Sequence, residues 1–317
     1  MRIRFIVPPA ETDRNGNSVT SSRWKTFMEE LGHQVSIDQE ECSAPCDLLV
    51  AFHACRSRAG IIRAREEGMA GRIVICFTGT DLYRDLKADP AAFDVLRLAD
   101  RLAVLQPAAL DELPPSFRDR TSVIYQSAVR PASDAAPSPE AFDVIVIAHL
   151  RDVKDPLRAA LAARLLPQES KVRVTLVGRA LTDELGRAAQ AEARDNPRFR
   201  WLGELPGEPT AEELIQSRVL VSSSVMEGGA NAVSEAIVSD VPVIVTKIPC
   251  MKGLLGEDYP GYFPVKDTQR LAGLLLRAET DPVFYDALRY RCRQVANKFS
   301  PSVERERIRE LLEAVTE

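Results

Sequence analysis

Short apolar, β-branched runs alternate with longer amphipathic stretches along the whole chain. In the first half, Ile3–Val7, Gln34–Ile37, Asp47–Phe52, Arg72–Phe77, Leu102–Leu105 and Ser122–Tyr125 read as strands. Helical spacing falls between them at Ser21–Leu31, Ser57–Gly68, Pro90–Leu98 and Pro107–Glu112. Runs such as Ile73–Phe77 are apolar at every position, the pattern of a parallel strand covered on both faces. Strand and helix in strict alternation build βαβ units.

The alternation breaks at Ala128–Ala141, which carries Pro131, Pro137 and Pro139 and has no usable period, so it reads as an interdomain linker. It then restarts, with strands expected at Val144–Ala148, Val172–Val177, Arg200–Leu202, Val219–Ser222, Val241–Thr246 and Gly261–Val265. Helices are expected near Pro156–Leu165, Thr182–Asp195, Ala211–Gln216, Ala232–Ser239 and Thr268–Ala278, with Pro282–Lys298 and Pro301–Thr316 closing the chain. Asp155-Pro156 and Ser300-Pro301 both read as an N-cap followed by proline at the first helical position. The fold class is therefore α/β, with two doubly wound domains of similar size facing a central cleft. In such sheets ligands bind beyond the carboxyl ends of the strands.

Composition narrows the chemistry. A length of 317 residues suits two domains, 1–130 and 131–300, with the final helix 301–317 expected to rejoin the first. The balance of 41 Lys+Arg against 46 Asp+Glu, −5 overall, argues against a nucleic-acid wrapper or a polybasic membrane binder. Aromatics at 6% argue against stacking platforms for single strands. The start, Met1 to Pro9, is too short in apolar residues for a signal-peptide core, and no stretch approaches a membrane span. Six cysteines in such a chain read as reduced thiols, so a soluble cytoplasmic protein is expected. Cys42, Cys46, His53 and Cys55 match no standard zinc spacing, and no metal site is expected.

The chemistry concentrates after the strand Val219–Ser222, in the segment Ser222 to Ala236. Gly228-Gly229 make a turn that lets a ligand approach the backbone. Asn231 can cap a helix whose free N–H groups and dipole favour a diphosphate. Glu235 lies about one turn into that helix, placed to accept both hydroxyls of a ribose, and Glu227 on the loop can meet a sugar hydroxyl.

Glu227 and Glu235, separated by seven residues and followed by the "P-V" strand at Val241–Thr246, resemble the E-x7-E signature of GT4-type GT-B glycosyltransferases. Phe199 to Gly203 is similar to that group's "v-x-f-l-G" strand, and Asp240 stands where its glycine is usual. Ala148 to Lys154 falls where the group has its "G-R-L…K-G" loop, whose Arg and Lys grip the donor diphosphate. Lys154 matches that lysine, and either His149 or Arg151 takes the arginine's place. A packed strand-end histidine, and a solvated charge cluster of Arg151 and Lys154 with Asp152 and Asp155, are the plain alternatives.

In the first half, Thr78-Gly79-Thr80-Asp81 sits where the family has "H-G-x-D", with Thr78 in place of the histidine that faces the transferred sugar. A hydroxyl cannot serve as an imidazole base. The loop from Pro8 to Thr20, containing Gly16 and Asn17, corresponds to the family's closing loop, and His53 with Arg56 and Arg58 ends another strand. These motifs, with H-L-R-x-x-K, M-E-G-G-A-N and G-L-L-G-E-D-Y-P-G-Y-F-P-V, resemble the selenosugar synthase branch of GT-B enzymes. That resemblance implies transfer of N-acetylglucosamine or glucose from a UDP-sugar to selenophosphate, with partner enzymes that make selenophosphate or use the selenosugar. It implies Glu227, Thr78 and His149 as catalytic candidates. Donor contacts would be Arg151, Lys154, Gly228, Gly229, Ala230, Asn231 and Glu235. Acceptor contacts would be Gly16, Asn17, Thr20, Arg23, His53, Arg56, Thr80 and Asp81, with Arg58 and Arg84 as further cations for a small dianion. No cofactor or metal is implied. The alternatives are a GT4-like enzyme with another anionic or thiol acceptor, a nucleotide-sugar epimerase, or a non-catalytic nucleotide-sugar-binding protein.

Overall fold

The computed structural model describes residues 1–9, 16–89, 92–133 and 135–316. Residues 10–15 of the expected closing loop Pro8–Thr20, the start of the expected helix at 90–91 and position 134 of the expected linker lie outside these. The chain divides into two compact units, Met1–Ser127 with Glu227–Ala230 and Pro301–Glu317, and Ala128–Met226 with Asn231–Ser300.

Each unit holds one six-stranded sheet. In the first unit β1 (Arg2–Ile6), β2 (Gln34–Asp38), β3 (Cys46–Phe52), β4 (Ala70–Cys76), β5 (Arg101–Val104) and β6 (Thr121–Val123) lie in the order β2-β1-β3-β4-β5-β6, all parallel. Both faces are covered, which is why the strands read as continuous apolar runs. Leu49, Ala51, Ile73 and Ile75 pack on one side with Ile61 and Ala64 of the helix Arg58–Glu66. Leu48, Val50, Phe52 and Val74 pack on the other with Trp24, Phe27 and Met28 of the helix Gly16–Glu30. The last helix, Pro301–Thr316, adds Ile308, Leu311, Leu312 and Val315 to that second side. These four recur at i, i+3, i+4 and i+7, and each buried aliphatic is worth about 1.5–3 kcal/mol. The exposed pairs of Arg309 with Glu306 and Glu313 on the outer face contribute little by comparison.

One buried carboxylate pins that helix in register. Glu304, 0% exposed, accepts from Trp24 Nε1 at 3.0 Å, Arg23 Nε at 2.6 Å and the Ser127 backbone N–H at 2.7 Å.

In the second unit β7 (Phe142–Ile147), β8 (Val172–Val177), β9 (Phe199–Trp201), β10 (Val219–Ser222), β11 (Val243–Thr246) and β12 (Tyr262–Phe263) lie in the order β12-β11-β10-β7-β8-β9. All pairs are again parallel. Strand order reverses direction between β7 and β10, and in the first sheet between β1 and β3, so these are the two switch-point crevices.

Several elements differ from the sequence reading. The helix Pro249–Leu255 was not expected; Pro249 at its start and buried Cys250, Met251, Leu254 and Leu255 were the available signal. Asp81–Asp85 forms a π-helical turn running into Leu86–Ala88, where the sequence reading assigns no element between Arg72–Phe77 and Pro90–Leu98. Asp155 does not cap a helix. It adopts a left-handed conformation (φ 45°), its carboxylate is held by Arg158 at 2.8 and 3.2 Å, and the helix begins only at Arg158. The capping device is found instead at Asp281-Pro282, where Asp281 Oδ1 accepts from Phe284 N at 3.1 Å. Asp240, at the family's glycine position, also has positive φ (63°), and Arg289 and Arg293 clasp its carboxylate at 2.5 and 2.6 Å.

Two predictions follow from these clasps. Glu304→Ala leaves a guanidinium and two N–H groups without their shared acceptor and should cost about 3–5 kcal/mol in urea unfolding. Glu304→Gln, which keeps one acceptor oxygen, should cost clearly less. The hydrogen bonds from Arg293, then Arg289, hold the Asp240 carboxyl below its ordinary value. Its stabilising contribution is thus present above the unfolded carboxylate range, about pH 4, and is lost as pH falls through the lower native value. Asp240→Asn should lower the melting temperature at pH 7 and flatten this acid dependence.

Candidate active site

The β7/β10 crevice is built by hydrogen bonds between the loops that leave those strands. After β7 the chain continues extended beside β8: Ala148 N–H donates to Val177 O at 2.9 Å and Leu150 N–H to Arg179 O at 2.8 Å. Gly178 makes this approach possible. It sits at φ 152°, and a Cβ there would lie 1.9 Å from Ala148 O. A short turn at Asp152–Lys154 follows, closed by Lys154 N–H to Arg151 O at 2.9 Å. The β10 loop then grips this turn. Val225 N–H donates to Val153 O at 2.9 Å, and the buried Ser223 hydroxyl donates to Asp155 O at 2.7 Å. Half-buried Lys154 and exposed Arg151 are therefore held next to the chain that runs into Glu227 and the helix Asn231–Val238. Ser223 was not singled out in the sequence; its only signal was a run of three serines at a strand end.

Glu235 stands one turn into that helix on the same face as Asn231. His149 accepts at Nδ1 from the Arg179 backbone N–H at 3.3 Å, which leaves the ring proton on Nε2 and makes that nitrogen a donor. Thus His149, Arg151, Lys154, Asn231 and Glu235 lie on the loops and helix start of one switch point. Glu227–Ala230 is grouped with the first unit instead. There the Gly228 backbone packs on Thr78 and Gly79 so closely that a Cβ at Gly228 would be 2.3 Å from Thr78 O. This close packing of backbone on backbone is a second reason for glycine at that position, beside ligand approach.

In the first unit the acceptor candidates take different places. Asp81 is fully buried; Oδ1 accepts from the N–H groups of Thr78, Gly79 and Leu82 at 2.9–3.0 Å, and Oδ2 from Ala54 N–H at 3.0 Å. Its carboxylate shapes the loop after β4. Thr20 is buried between Gln126 Nε2 and Gly16 O, at 2.5 and 2.7 Å, and Arg23 is the partner of Glu304. Gly16 is exposed and Asn17 half-buried at the start of the first helix. His53, 2% exposed, ends β3 at the β1/β3 crevice with positive φ (72°), and its Nε2 lies 3.1 Å from Thr80 Oγ1 and 3.5 Å from Asp85 Oδ2. Asp85 was not among the sequence candidates, because the π-helical turn that brings it under His53 has no local signature. Arg56 is exposed, Arg58 pairs with Asp89 at 3.1 Å and Arg84 with Asp85 at 2.7 Å.

Thiol chemistry is unfavourable. Burial, then the charges of Asp81, Asp85 and Asp89, push the Cys55 thiol up to about 11. Burial, then Cys42, pushes Cys46 up to about 12, with the two sulfurs 3.9 Å apart. Among the described residues no group of three or more His, Cys, Asp or Glu side chains is placed to hold a metal ion. Among them, too, no helix is long and apolar enough to cross a membrane.

Comparison with known proteins places the fold and the family. Residues 133–299 match the family model "Glycosyl transferases group 1". The glycosyltransferase 1 domain-containing protein 1 of Xenopus tropicalis is 24% identical over 293 residues, covering 84% of this chain and 85% of the relative. Among solved structures, sucrose-phosphate synthase of Thermosynechococcus elongatus superposes with a TM-score of 0.79 at 15% identity, over 99% of each chain. HepE of Anabaena, solved with UDP and glucose, gives 0.76 at 16% identity, over 99% of this chain and 100% of its own. At such identities the likeness speaks for the fold, two parallel six-stranded α/β units of GT-B type.

Gly178→Ala should break the β7–β8 loop pairing and cost about 1–3 kcal/mol or more in thermal unfolding. Gly273→Ala, where a Cβ meets nothing within 4 Å on the helix Thr268–Thr280, should instead stabilise by about 0.4–1 kcal/mol and serves as the control.

Proposed function

Because the chain belongs to the group 1 glycosyl transferases, we propose that it transfers N-acetylglucosamine or glucose from a UDP-sugar to selenophosphate, forming a carbon–selenium bond. The observation that carries the donor half is the β7/β10 crevice, where the turn bearing Lys154 and Arg151 is hydrogen-bonded to the β10 loop leading into Glu235. HepE, solved with UDP and glucose, supports a UDP-sugar as the donor.

Glu235 accepts the ribose hydroxyls. Lys154 and Arg151, with the backbone amides from Gly229 to Ala232 and the Nε2–H of His149, meet the diphosphate. Glu227 contacts the sugar. As the selenium lone pair forms its bond to the anomeric carbon, the bond from that carbon to the UDP oxygen breaks, and UDP leaves with the electron pair. The negative charge growing on the leaving diphosphate is stabilised by groups fixed in advance, so no metal is needed. The acceptor binds at the carboxyl edge of the first sheet, near Thr78, Thr80, His53 and Arg56.

Two features support an acceptor that arrives already ionised. Thr78 occupies the family's imidazole position. The nearby imidazole of His53 is buried with both ring nitrogens engaged. Selenium is favoured among such acceptors by the resemblance of the sequence motifs to selenosugar synthases, since a phosphorylated or thiol acceptor would meet the same residues.

Lys154→Ala and Glu235→Ala should each weaken UDP binding about 10- to 100-fold by calorimetry, the scale of hydrogen bonds to charged groups. Unchanged affinity would remove the donor assignment. Incubation with UDP-N-acetylglucosamine or UDP-glucose and selenophosphate should give a selenium-containing hexose by mass spectrometry, at a rate unaffected by EDTA. Product formed only with a thiol or another phosphorylated acceptor would overturn the selenium assignment and keep the transferase.

A further inference from the structure

The switch-point crevice of the first sheet contains a chain of hydrogen bonds through His53 and Thr80. His53 closes β3 in a left-handed conformation (φ 72°), which costs a non-glycine residue free energy unless its surroundings hold it there. The surroundings do so. His53 N–H donates to Cys76 O at 2.9 Å, its carbonyl accepts from Ser57 N–H at 3.0 Å, and the side chain is 2% exposed.

The proton on its ring can be located by elimination. The Arg56 backbone N–H donates to Nδ1 at 3.2 Å, so Nδ1 carries the lone pair and Nε2 carries the hydrogen. That hydrogen faces two oxygens, Thr80 Oγ1 at 3.1 Å and Asp85 Oδ2 at 3.5 Å. The second distance is long for a hydrogen bond, and the other oxygen of Asp85 is engaged by Arg84 Nε at 2.7 Å. The shorter contact fixes Thr80 Oγ1 as an acceptor toward His53. A hydroxyl that accepts on one side donates on the other.

We propose that His53 is a positioning residue for acceptor binding: its Nε2–H locks the Thr80 hydroxyl as a hydrogen-bond donor toward an anionic, already ionised acceptor. His53 is not a proton acceptor in this arrangement, because the Nδ1 lone pair is engaged by the Arg56 N–H and Nε2 carries the hydrogen. The inference rests on the transferase reading above and deepens it. The relay suits a phosphate-type or chalcogenide anion and disfavours a neutral hydroxyl, which would still need a base.

Three variants of the full chain test it. Thr80→Val removes the hydroxyl with little change of shape, Thr80→Ser keeps it, and His53→Asn keeps a side chain that tolerates positive φ but deletes the Nε2–H. Thr80→Val and His53→Asn should each raise the KM for selenophosphate about tenfold or more, the scale of a hydrogen bond to an anion, and leave the KM for the UDP-sugar unchanged. Thr80→Ser should stay within about threefold of wild type, and the double variant should be no worse than the worse single one, because both changes remove the same relay. An acceptor KM within twofold of wild type for Thr80→Val overturns the proposal. So does an equal rise in both KM values, or effects that multiply in the double variant. If His53→Asn does not fold, Thr80→Val against Thr80→Ser decides alone. If the wild-type protein makes no selenosugar, the reading above fails. Calorimetric titration with thiophosphate then judges the relay separately: tenfold weaker binding in Thr80→Val supports it, and equal or absent binding overturns it.

Discussion

One covered face of the first sheet depends on where the last helix lands, and one carboxylate decides that. Glu304 is buried completely, and burying a charge is tolerated only when it is paired and hydrogen-bonded. Its two oxygens meet a guanidinium, an indole N–H and a backbone N–H from residues 23, 24 and 127. The apolar stripe Ile308, Leu311, Leu312 and Val315 supplies most of the burial, but a stripe alone could slide by a turn. The carboxylate fixes one register, because any other would leave it and its donors unpaired in the interior.

With the covering helices placed, the sheets set the chemistry. Parallel strands with helices on both faces bring every βα loop to one edge, and the reversal of strand order opens a crevice there. In the second unit the crevice falls between β7 and β10, whose loops carry the basic turn at Lys154 and the chain leading to Glu235. In the first it falls between β1 and β3, and the loop leaving β3 starts with His53. Polar groups at these edges serve two purposes. Asp81 and Ser223 shape backbone, while Lys154, Glu235 and Thr80 are the proposed ligand contacts.

The sequence by itself determined the alternation of strands and helices, since a strand buried on both faces must be apolar throughout and an amphipathic helix must repeat near 3.6 residues. It also carried the E-x7-E segment and the lysine loop, because these lie within short stretches of contiguous chain. Only the tertiary structure decided the rest. Asp155, which reads as a cap, is claimed by Arg158; Asp240 tolerates a left-handed backbone with its carboxylate clasped by two arginines from the helix Pro282–Val295. Arg23 reads as a cation for an anionic ligand and serves Glu304, 281 positions away. His53, Thr80 and Asp85 meet because β3 and β4 are neighbours and a π-helical turn adds one residue to the return of the chain. A local pattern can specify what one element needs, but a polar side chain bonds to whatever the fold sets beside it, and that neighbour is chosen by strand order and helix register.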